Sequence, residues 1–151
     1  MKIVVGGDHA GYELKEKVLK YLESCGHEVI HVGCFSKDMV DFPDIAKKVC
    51  SILLNNEAKR GIMVCGTGVG AAIACNKVPG IRASVVHDVY TAHQCVEHDH
   101  VQVMALGGQI VGDVVAKELI DIFLRAEYSE SEEFMKRVAM LDEMDKEVHG
   151  K

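Results

Sequence analysis

The sequence lacks the features that would place it outside the class of ordinary globular domains. It has only 2 prolines among 151 residues and no Pro-rich, Gly-rich or Ser-rich run, so no segment has the composition of a linker or a disordered tract. No apolar stretch is long enough to span a bilayer, and the polar pair Asp8-His9 ends the N-terminal apolar run too early for a signal peptide. A single cytoplasmic domain over residues 1–151 is therefore predicted.

The sequence also has no cluster of basic residues. Its 17 basic and 23 acidic side chains give a formal charge of −6, and both signs are spread along the chain. Nucleic-acid binders neutralise phosphates with a basic stripe, and this chain has none. We expect neither a nucleic-acid partner nor a membrane partner.

No Cys-x-x-Cys pair occurs, although the chain has 6 cysteines. They lie in apolar segments, at positions 25, 34, 50, 65, 75 and 95. We therefore expect reduced thiols, most of them buried as small apolar side chains.

Short β-branched runs alternate with amphipathic segments along the whole chain. The runs predict strands at residues 2–6, 27–32, 61–64, 81–86 and 101–106. Apolar residues spaced by three and four predict helices at about 14–25, 43–55, 70–77, 89–97, 111–125 and 132–148. This order is typical of an α/β fold, a three-layer Rossmann-like open parallel five-stranded sheet with helices on both faces.

Polar and glycine residues concentrate after the predicted strands, where open parallel sheets bind ligands. The run Cys65-Gly66-Thr67-Gly68-Val69-Gly70 allows a tight turn whose N–H groups can face an anion. It departs from the dinucleotide fingerprint G-x-G-x-x-G, and no Gly-Lys-Ser or Gly-Lys-Thr of a P-loop is present. The run indicates an anion or oxyanion site rather than a nucleotide site.

Two residue groups in these loops have both a chemical and a structural interpretation. A thiol at a helix N-terminus among N–H groups has a stabilised thiolate, so Cys65 is either a proton-transfer group or a buried residue at a strand end. Asp8 beside His9 either binds a sugar hydroxyl with it or caps the following helix.

A third group is the histidine cluster His98-Asp99-His100, with His87 and His93 nearby in sequence. Such a cluster admits a metal site. The spacing argues against one, since the histidines of this segment include no His-x-x-x-His pair with an acidic base. We predict no metal.

Several motifs together resemble a known family. They are Asp8-His9-Ala10-Gly11, the run 62–70 around Cys65, Asn76-Lys77-Val78-Pro79-Gly80-Ile81-Arg82-Ala83, Glu97-His98-Asp99 and Ala105-Leu106-Gly107-Gly108. In combination they closely resemble ribose-5-phosphate isomerase B and its relatives, the galactose-6-phosphate isomerase subunits. The resemblance extends over essentially the whole chain.

The resemblance implies a cofactor-free aldose–ketose isomerase that moves a proton between C1 and C2 of an open-chain sugar phosphate through a cis-enediolate. By motif, Cys65 is the base, Thr67 handles protons at the carbonyl oxygen and His98 opens the sugar ring. The remaining implied substrate-binding residues are Asp8, His9, Gly66, Gly68, Val69, Gly70, Asp99, Gln109, Lys136 and Arg137. A non-catalytic or metal-binding member of the same fold is the alternative.

Three positions depart from the family pattern. Asp99 stands where the family usually has Asn, Gln109 stands where it has Arg, and Glu133 replaces one of two phosphate-binding arginines. Arg137, with Lys136, is left to bind the phosphate. The lower positive charge favours a related four-carbon or six-carbon sugar phosphate over ribose 5-phosphate.

The last predicted helix has an apolar stripe of Phe134, Val138, Leu141 and Met144. Helices already cover both faces of the predicted sheet, so we expect this stripe to need another surface, that of a second subunit. In the resembled family the tail and the His98 region complete a partner's active site. We predict a homodimer, with a tetramer of such dimers as the alternative.

Overall fold

The computed structural model describes residues 1–150, apart from the side chain of His149. Five strands form one sheet in the order β2-β1-β3-β5-β4, and every pair of neighbouring strands is parallel. The strands are β1 (Lys2–Gly7), β2 (Glu28–His31), β3 (Arg60–Cys65), β4 (Ala83–Val85) and β5 (Val103–Gly107). The sheet therefore has one edge formed by the carboxyl ends of all strands and another formed by their amino ends, here called the carboxyl edge and the amino edge.

Six α-helices connect and follow the strands. They are α1 (Tyr12–Ser24), α2 (Phe42–Leu54), α3 (Val69–Asn76), α4 (Val89–Asp99), α5 (Asp113–Arg125) and α6 (Glu132–His149). A short 3₁₀ turn, His9–Gly11, precedes α1. The helices pack on both faces of the sheet and confirm the predicted three-layer α/β fold.

Two apolar cores, one on each face of the sheet, hold the layers together. Alternating strand residues supply both, since Ile3 and Val5 belong to one core and Val4 belongs to the other. The first core includes Phe123 of α5, and the second includes Val49 of α2. Each of these side chains is fully buried, so the strands that support the carboxyl edge are fixed from both sides.

The edge strand β4 is shorter than the sequence pattern predicts. It covers three residues instead of the expected 81–86. The N–H of Arg82 donates to the side chain of Gln102 at 2.7 Å instead of extending the regular ladder. The apolar run in the sequence indicates which residues are buried. The position where β4 begins to pair is decided instead by the hydrogen bond from Arg82 to the Gln102 side chain.

Helix α6 lies across the amino edge, and part of its apolar stripe contacts its own chain. Phe134 stacks on His98 at 3.9 Å between ring centroids, and Val138 is buried. The expectation that the whole stripe needs another surface is therefore wrong for these two residues, because the end of α4 offers them an outer face. Leu141 and Met144 remain 40% and 60% exposed.

Polar contacts fix the second half of α6 to the loop before β4. Asp142 forms an ion pair with Arg82 at 2.8 Å, and Asp145 accepts from the N–H of Gly80 at 2.7 Å. Both contacted residues precede β4, so they lie at the amino edge. The tail thus belongs to the amino edge along its length.

The cysteines behave largely as expected. All six are free thiols, and all except Cys25 are buried. Among residues 1–150, no helix combines the length and the apolarity needed to cross a bilayer.

Candidate active site

The carboxyl edge has a switch in strand order between β1 and β3. These strands are neighbours, while β2 lies beyond β1 and β5 lies beyond β3. Loops that leave such a point diverge to opposite sides and leave a crevice between them. The loops at this point contain Asp8-His9 and the glycine-rich run after Cys65.

The two loops pack closely against each other. The N–H of Asp8 donates to the carbonyl of Val64 at 3.1 Å. At Gly11 an added Cβ would overlap that same carbonyl and lie 2.7 Å from the backbone nitrogen of Cys65. Glycine is therefore required at this position by the close approach of the backbones. The resulting floor of the crevice is rigid.

Cys65 ends β3 at the bottom of this crevice. Its side chain is 4% exposed, and its sulfur accepts a hydrogen bond from the N–H of Gly68 at 3.1 Å. Gly68 has a φ of +82°, a left-handed conformation that aims its N–H back at the sulfur and that favours glycine. Helix α3 begins at the next residue, Val69. The N-terminal end of that helix and the Gly68 N–H both favour negative charge on the sulfur.

Thr67 and Gln109 border the same loop. Thr67 is exposed, and its hydroxyl oxygen accepts from the N–H of Val69 at 3.3 Å, which leaves the hydroxyl hydrogen free. The Gln109 N–H donates to the carbonyl of Gly66 at 3.0 Å. The Gln109 carboxamide oxygen would lie 3.2 Å from a Cβ at Gly66, so this side chain stands directly beside the loop.

Asp8 and His9 face the crevice from the β1 side. One oxygen of Asp8 accepts from the N–H groups of Ala10 and Gly11 at 3.0 and 3.2 Å, so the predicted capping role is present. The second carboxylate oxygen of Asp8 can therefore accept from another donor. His9 Nδ1 accepts from the N–H of Val40 at 3.3 Å, which assigns the proton of the neutral ring to Nε2.

His87, which sequence reasoning considered only within the rejected metal cluster, also stands at the carboxyl edge. Its Nε2 accepts from the N–H of Gly107 at 2.9 Å and so supports the loop that contains Gln109. Burial lowers the pKa of His87, which keeps the ring neutral as this contact requires. In the sequence, the position of the His87-Asp88 pair directly after a predicted strand was the signal that could have placed His87 at this edge.

The segment after β2 also joins the crevice. Gly33 and Cys34 exchange backbone hydrogen bonds with Gly7 at 2.8 and 2.7 Å. Further along, the ring of Phe42 packs so closely on Gly70 that a Cβ there would lie 2.7 Å from it. No local sequence pattern predicts this approach, because it depends on the path of a long loop.

The other predicted site residues lie elsewhere on the chain. Helix α4 begins at the carboxyl edge with Asp88 as its cap, and its 11 residues rise about 16 Å toward the amino edge. His98 and Asp99 are at its far end. Lys136 and Arg137 follow on α6. Within one chain, these four residues are not brought to Cys65.

His98 and Arg137 nevertheless have defined surroundings. The Nδ1 atom of His98 hydrogen-bonds the side chain of Gln94 at 2.8 Å, and its ring stacks on Phe134. Arg137 forms an exposed ion pair with Glu133, the residue that departs from the family pattern. The phosphate-binding candidate is therefore partly neutralised by its neighbour.

The metal alternative has no geometric support. In residues 1–150, no three His, Cys, Asp or Glu side chains converge closely enough to hold an ion. The histidines of the 87–100 segment have other partners, since His93 pairs with Glu97 at 2.8 Å and His100 stacks on Tyr128.

Comparison with known proteins decides the family. The family model described as Ribose/Galactose Isomerase matches residues 3–141. The chain belongs to this family. It is therefore an isomerase of phosphorylated sugars.

Individual members of the family are similar along nearly their whole length. Ribose-5-P isomerase B of Listeria innocua is 37% identical over 145 residues, which cover 96% of this chain and 97% of that protein. Galactose-6-phosphate isomerase subunit LacB of Clostridium acetobutylicum is 39% identical, with coverage of 99% and 88%. The solved structure of Clostridium thermocellum ribose-5-phosphate isomerase B has a TM-score of 0.95 at 40% identity, with coverage of 98% and 99%.

Proposed function

We propose that this isomerase interconverts an aldose phosphate and a ketose phosphate, with Cys65 as the base that moves a proton between C2 and C1. The observation that carries the proposal is the hydrogen bond from the Gly68 N–H to the Cys65 sulfur at the N-terminal end of α3. A helix terminus and a directed N–H both stabilise a thiolate. A thiolate placed beside an oxyanion site is suited to removing a proton next to a carbonyl group.

The reaction begins with the open-chain aldose in the crevice. The Cys65 thiolate takes the proton from C2, and the C2–H electron pair forms the C1–C2 double bond while the carbonyl oxygen becomes an oxyanion. A proton then moves to the oxygen on C1 and leaves the oxygen on C2. The Cys65 thiol returns its proton to C1, which gives the ketose, so no electrons are supplied from outside.

The glycine-rich loop stabilises the cis-enediolate between these two steps. The N–H groups of Gly66 and Gly70 have no acceptor in the part of the chain that the structure describes, so they are free to bind the oxyanion. Thr67 adds its free hydroxyl hydrogen at the carbonyl oxygen. Fixed donors of this kind contribute without reorganising, and removing one typically lowers the rate about a hundredfold or more.

Asp8 and His9 hold the sugar. The free oxygen of Asp8 accepts from a sugar hydroxyl, and His9 Nε2 donates to a sugar oxygen, since Nδ1 is already occupied by Val40. Val69 and Gly68 complete the wall above Cys65. Gln109, beside Gly66, binds at the same end of the crevice.

A second copy of the chain supplies the remaining groups. Cys65 and His98 lie at opposite edges of the sheet, and α4, which runs between these edges, is about 16 Å long. A two-fold symmetric pair that places the amino edge of one chain against the carboxyl edge of the other completes two sites at once. His98 then opens the sugar ring, while Asp99, Lys136 and Arg137 bind the substrate. This assembly is a homodimer, with a tetramer of dimers as the alternative.

The charge around the phosphate favours a sugar other than ribose 5-phosphate. Gln109 brings no charge beside Gly66, and Glu133 forms an ion pair with Arg137. The phosphate therefore meets fewer free guanidinium groups than a pair of arginines would offer. A four-carbon or a six-carbon sugar phosphate fits this environment better.

A panel of aldose and ketose phosphates with four, five and six carbons tests the proposal. We expect interconversion of at least one pair in buffer made with heavy water. Deuterium from the solvent appears on the carbon that Cys65 protonates whenever the thiol exchanges with solvent before it returns its proton. The same assay with the Cys65→Ala variant controls for contaminating isomerases. Equal turnover by the variant would contradict a cysteine base.

A further inference from the structure

A cleft of about 600 Å³ opens at the amino edge of the sheet, on the opposite side of the molecule from Cys65. Its walls come from the end of α2, the first residue of β3, the start of β5 and the segment that follows α5. We call it the amino-edge cleft. The lining residues that matter here are Lys59, Arg60, His100, Arg125, Glu127 and Tyr128.

Arg60 is a buried cation without an anionic partner. The residue is 7% exposed, and no carboxylate within residues 1–150 forms an ion pair with it. Its guanidinium stacks over Phe123 at 5.6 Å and gives one long hydrogen bond, 3.4 Å, to the carbonyl of Ala126. Its buried Nε has no acceptor in the described chain. Burial accordingly lowers the pKa of Arg60.

Tyr128 supplies a second unused donor in the same cleft. Its hydroxyl is buried and has no partner among the described residues, and its ring stacks on His100 at 4.3 Å. A buried hydroxyl and a buried guanidinium nitrogen without partners both destabilise a protein. Both residues line the same cleft, so a ligand that supplied an acceptor to each would remove this cost.

The charge of the cleft defines the chemistry of that ligand. Lys59, Arg60 and Arg125 line it with positive charge, and Glu127 is the single acidic residue in the lining. We propose that the amino-edge cleft binds the oxyanion group of a small molecule, a phosphate or a carboxylate, between the Arg60 guanidinium and the Tyr128 hydroxyl. A guanidinium offers paired N–H donors that match both kinds of oxyanion.

Within one chain, this site is separate from the crevice that contains Cys65. Arg60 is the first residue of β3 and Cys65 is the last, so about 16 Å of extended strand lies between them. The inference does not depend on the reaction proposed above, because none of its residues takes part in that reaction.

Arginine Nε–H resonances of the full-length protein, followed by ¹⁵N NMR, test the proposal directly. The Arg60 signal is identified by its loss in the Arg60→Met variant, and Lys48→Met is a matched control that removes one exposed positive charge elsewhere. We expect inorganic phosphate or citrate to shift the Arg60 signal in a saturable manner in the wild type and in the control. An Arg60 signal that neither anion moves would overturn the proposal.

Two further variants separate this site from the catalytic one and guard against misfolding of Arg60→Met. Tyr128→Phe keeps the stacked ring and should weaken anion binding about fivefold, as expected for one hydrogen bond. Arg137→Ala weakens the catalytic phosphate site and should leave the Arg60 shift unchanged. A shift that persists in full in Tyr128→Phe and disappears in Arg137→Ala would place the anion at the catalytic site and refute the amino-edge cleft.

Discussion

At the scale of single residues, the five buried thiols differ in what surrounds the sulfur. Burial raises the pKa of the Cys95 thiol to about 11 and also raises that of Cys34, so both stay protonated near neutral pH. Cys65 is equally buried but receives the N–H of Gly68 and lies at the start of α3. Its partner, more than its exposure, distinguishes it as the candidate base.

Replacing Cys65 by Ala should lower kcat at least about a hundredfold, the usual contribution of a general base, because no other described group takes its place. Substrate binding should change little, since the sulfur acts on the transition state. Steady-state kinetics and calorimetry measure the two quantities. Cys25→Ala, which removes the exposed thiol, is the control and should keep full activity. Near-normal turnover by Cys65→Ala would exclude this residue as the base.

Substrate preference should respond to charge at two positions. Gln109→Arg and Glu133→Arg each add a guanidinium near the proposed phosphate position, and the second also frees Arg137 from its ion pair. We expect kcat/KM for ribose 5-phosphate to rise about tenfold or more relative to the four-carbon and six-carbon substrates. Glu143→Arg makes the same charge change as Glu133→Arg on an exposed face of α6 and should leave the ratio unaltered. Unchanged ratios in all three variants would mean that neither position faces the ligand.

At the scale of helices and strands, periodicity located every α-helix and every β-strand to within a few residues. It worked because apolar spacing records burial, and burial dominates in a sheet covered on both faces. The pattern missed the 3₁₀ turn at His9–Gly11, whose geometry depends on side-chain capping by Asp8. It also identified the apolar stripe of α6 without telling which surface covers it, since Phe134 packs on His98. Contacts between distant segments leave no trace in local spacing.

The residues of the candidate site also divide into those that local sequence patterns predict and those that depend on contacts between distant segments. The positions of Asp8 and Cys65 next to strand ends predicted them as candidates, because chain order alone brings those ends together, whereas the role of Thr67 was implied by the family resemblance. The contact between His87 and Gly107 and that between Phe42 and Gly70 were not predicted, since they depend on how neighbouring loops pack. The fold was therefore more predictable than the walls of the crevice.

The contact between the β1 and β3 loops should tolerate no side chain at Gly11. Gly11→Ala places a Cβ against the Val64 carbonyl and the Cys65 backbone nitrogen, and we expect it to reduce the free energy of unfolding by about 1–3 kcal/mol. Activity should fall as well, because the displaced strand end holds Cys65. Urea unfolding measures the first effect. At Gly112 an added Cβ meets nothing within 4 Å, so Gly112→Ala is a matched control with little effect. Equal stability of both variants would show that the loops separate easily.

At the scale of the whole molecule, the shared-site assembly predicts complementation. Cys65→Ala and Arg137→Ala chains should each be inactive alone, because each damages every site. Mixed pairs should recover up to about half the wild-type activity per dimer, since one of their two sites is wholly native. Mass spectrometry verifies that subunits have exchanged. If mixed pairs form and no activity returns, each chain must build its site alone.

Stability should also depend on pH through three histidines. Burial lowers the pKa of His31, His87 and His100 below the ordinary value of about 6.5, so the unfolded chain takes up protons before the folded one does. Their stabilising contribution is complete above about pH 6.5 and is lost as the pH falls through the folded-state pKa values. Urea unfolding at about pH 7.5 and about pH 5.5 should show lower stability at the acidic value. The difference in stability between the two pH values should be smaller in His87→Gln, whose side chain still accepts from the Gly107 N–H but cannot be protonated. An equal difference in this variant would mean that His87 does not contribute to the pH dependence.

A mutation that removes a functional residue at the carboxyl edge of this chain leaves the amino edge intact, and the reverse is also true. If two copies share each site, a copy that has lost Cys65 still contributes His98 and Arg137 to its partner, and a copy that has lost His98 still contributes Cys65. Duplicated genes for such a chain can therefore degenerate in complementary ways without loss of the activity. The two products then become obligate partners, each inactive alone, and selection acts on the pair as a unit.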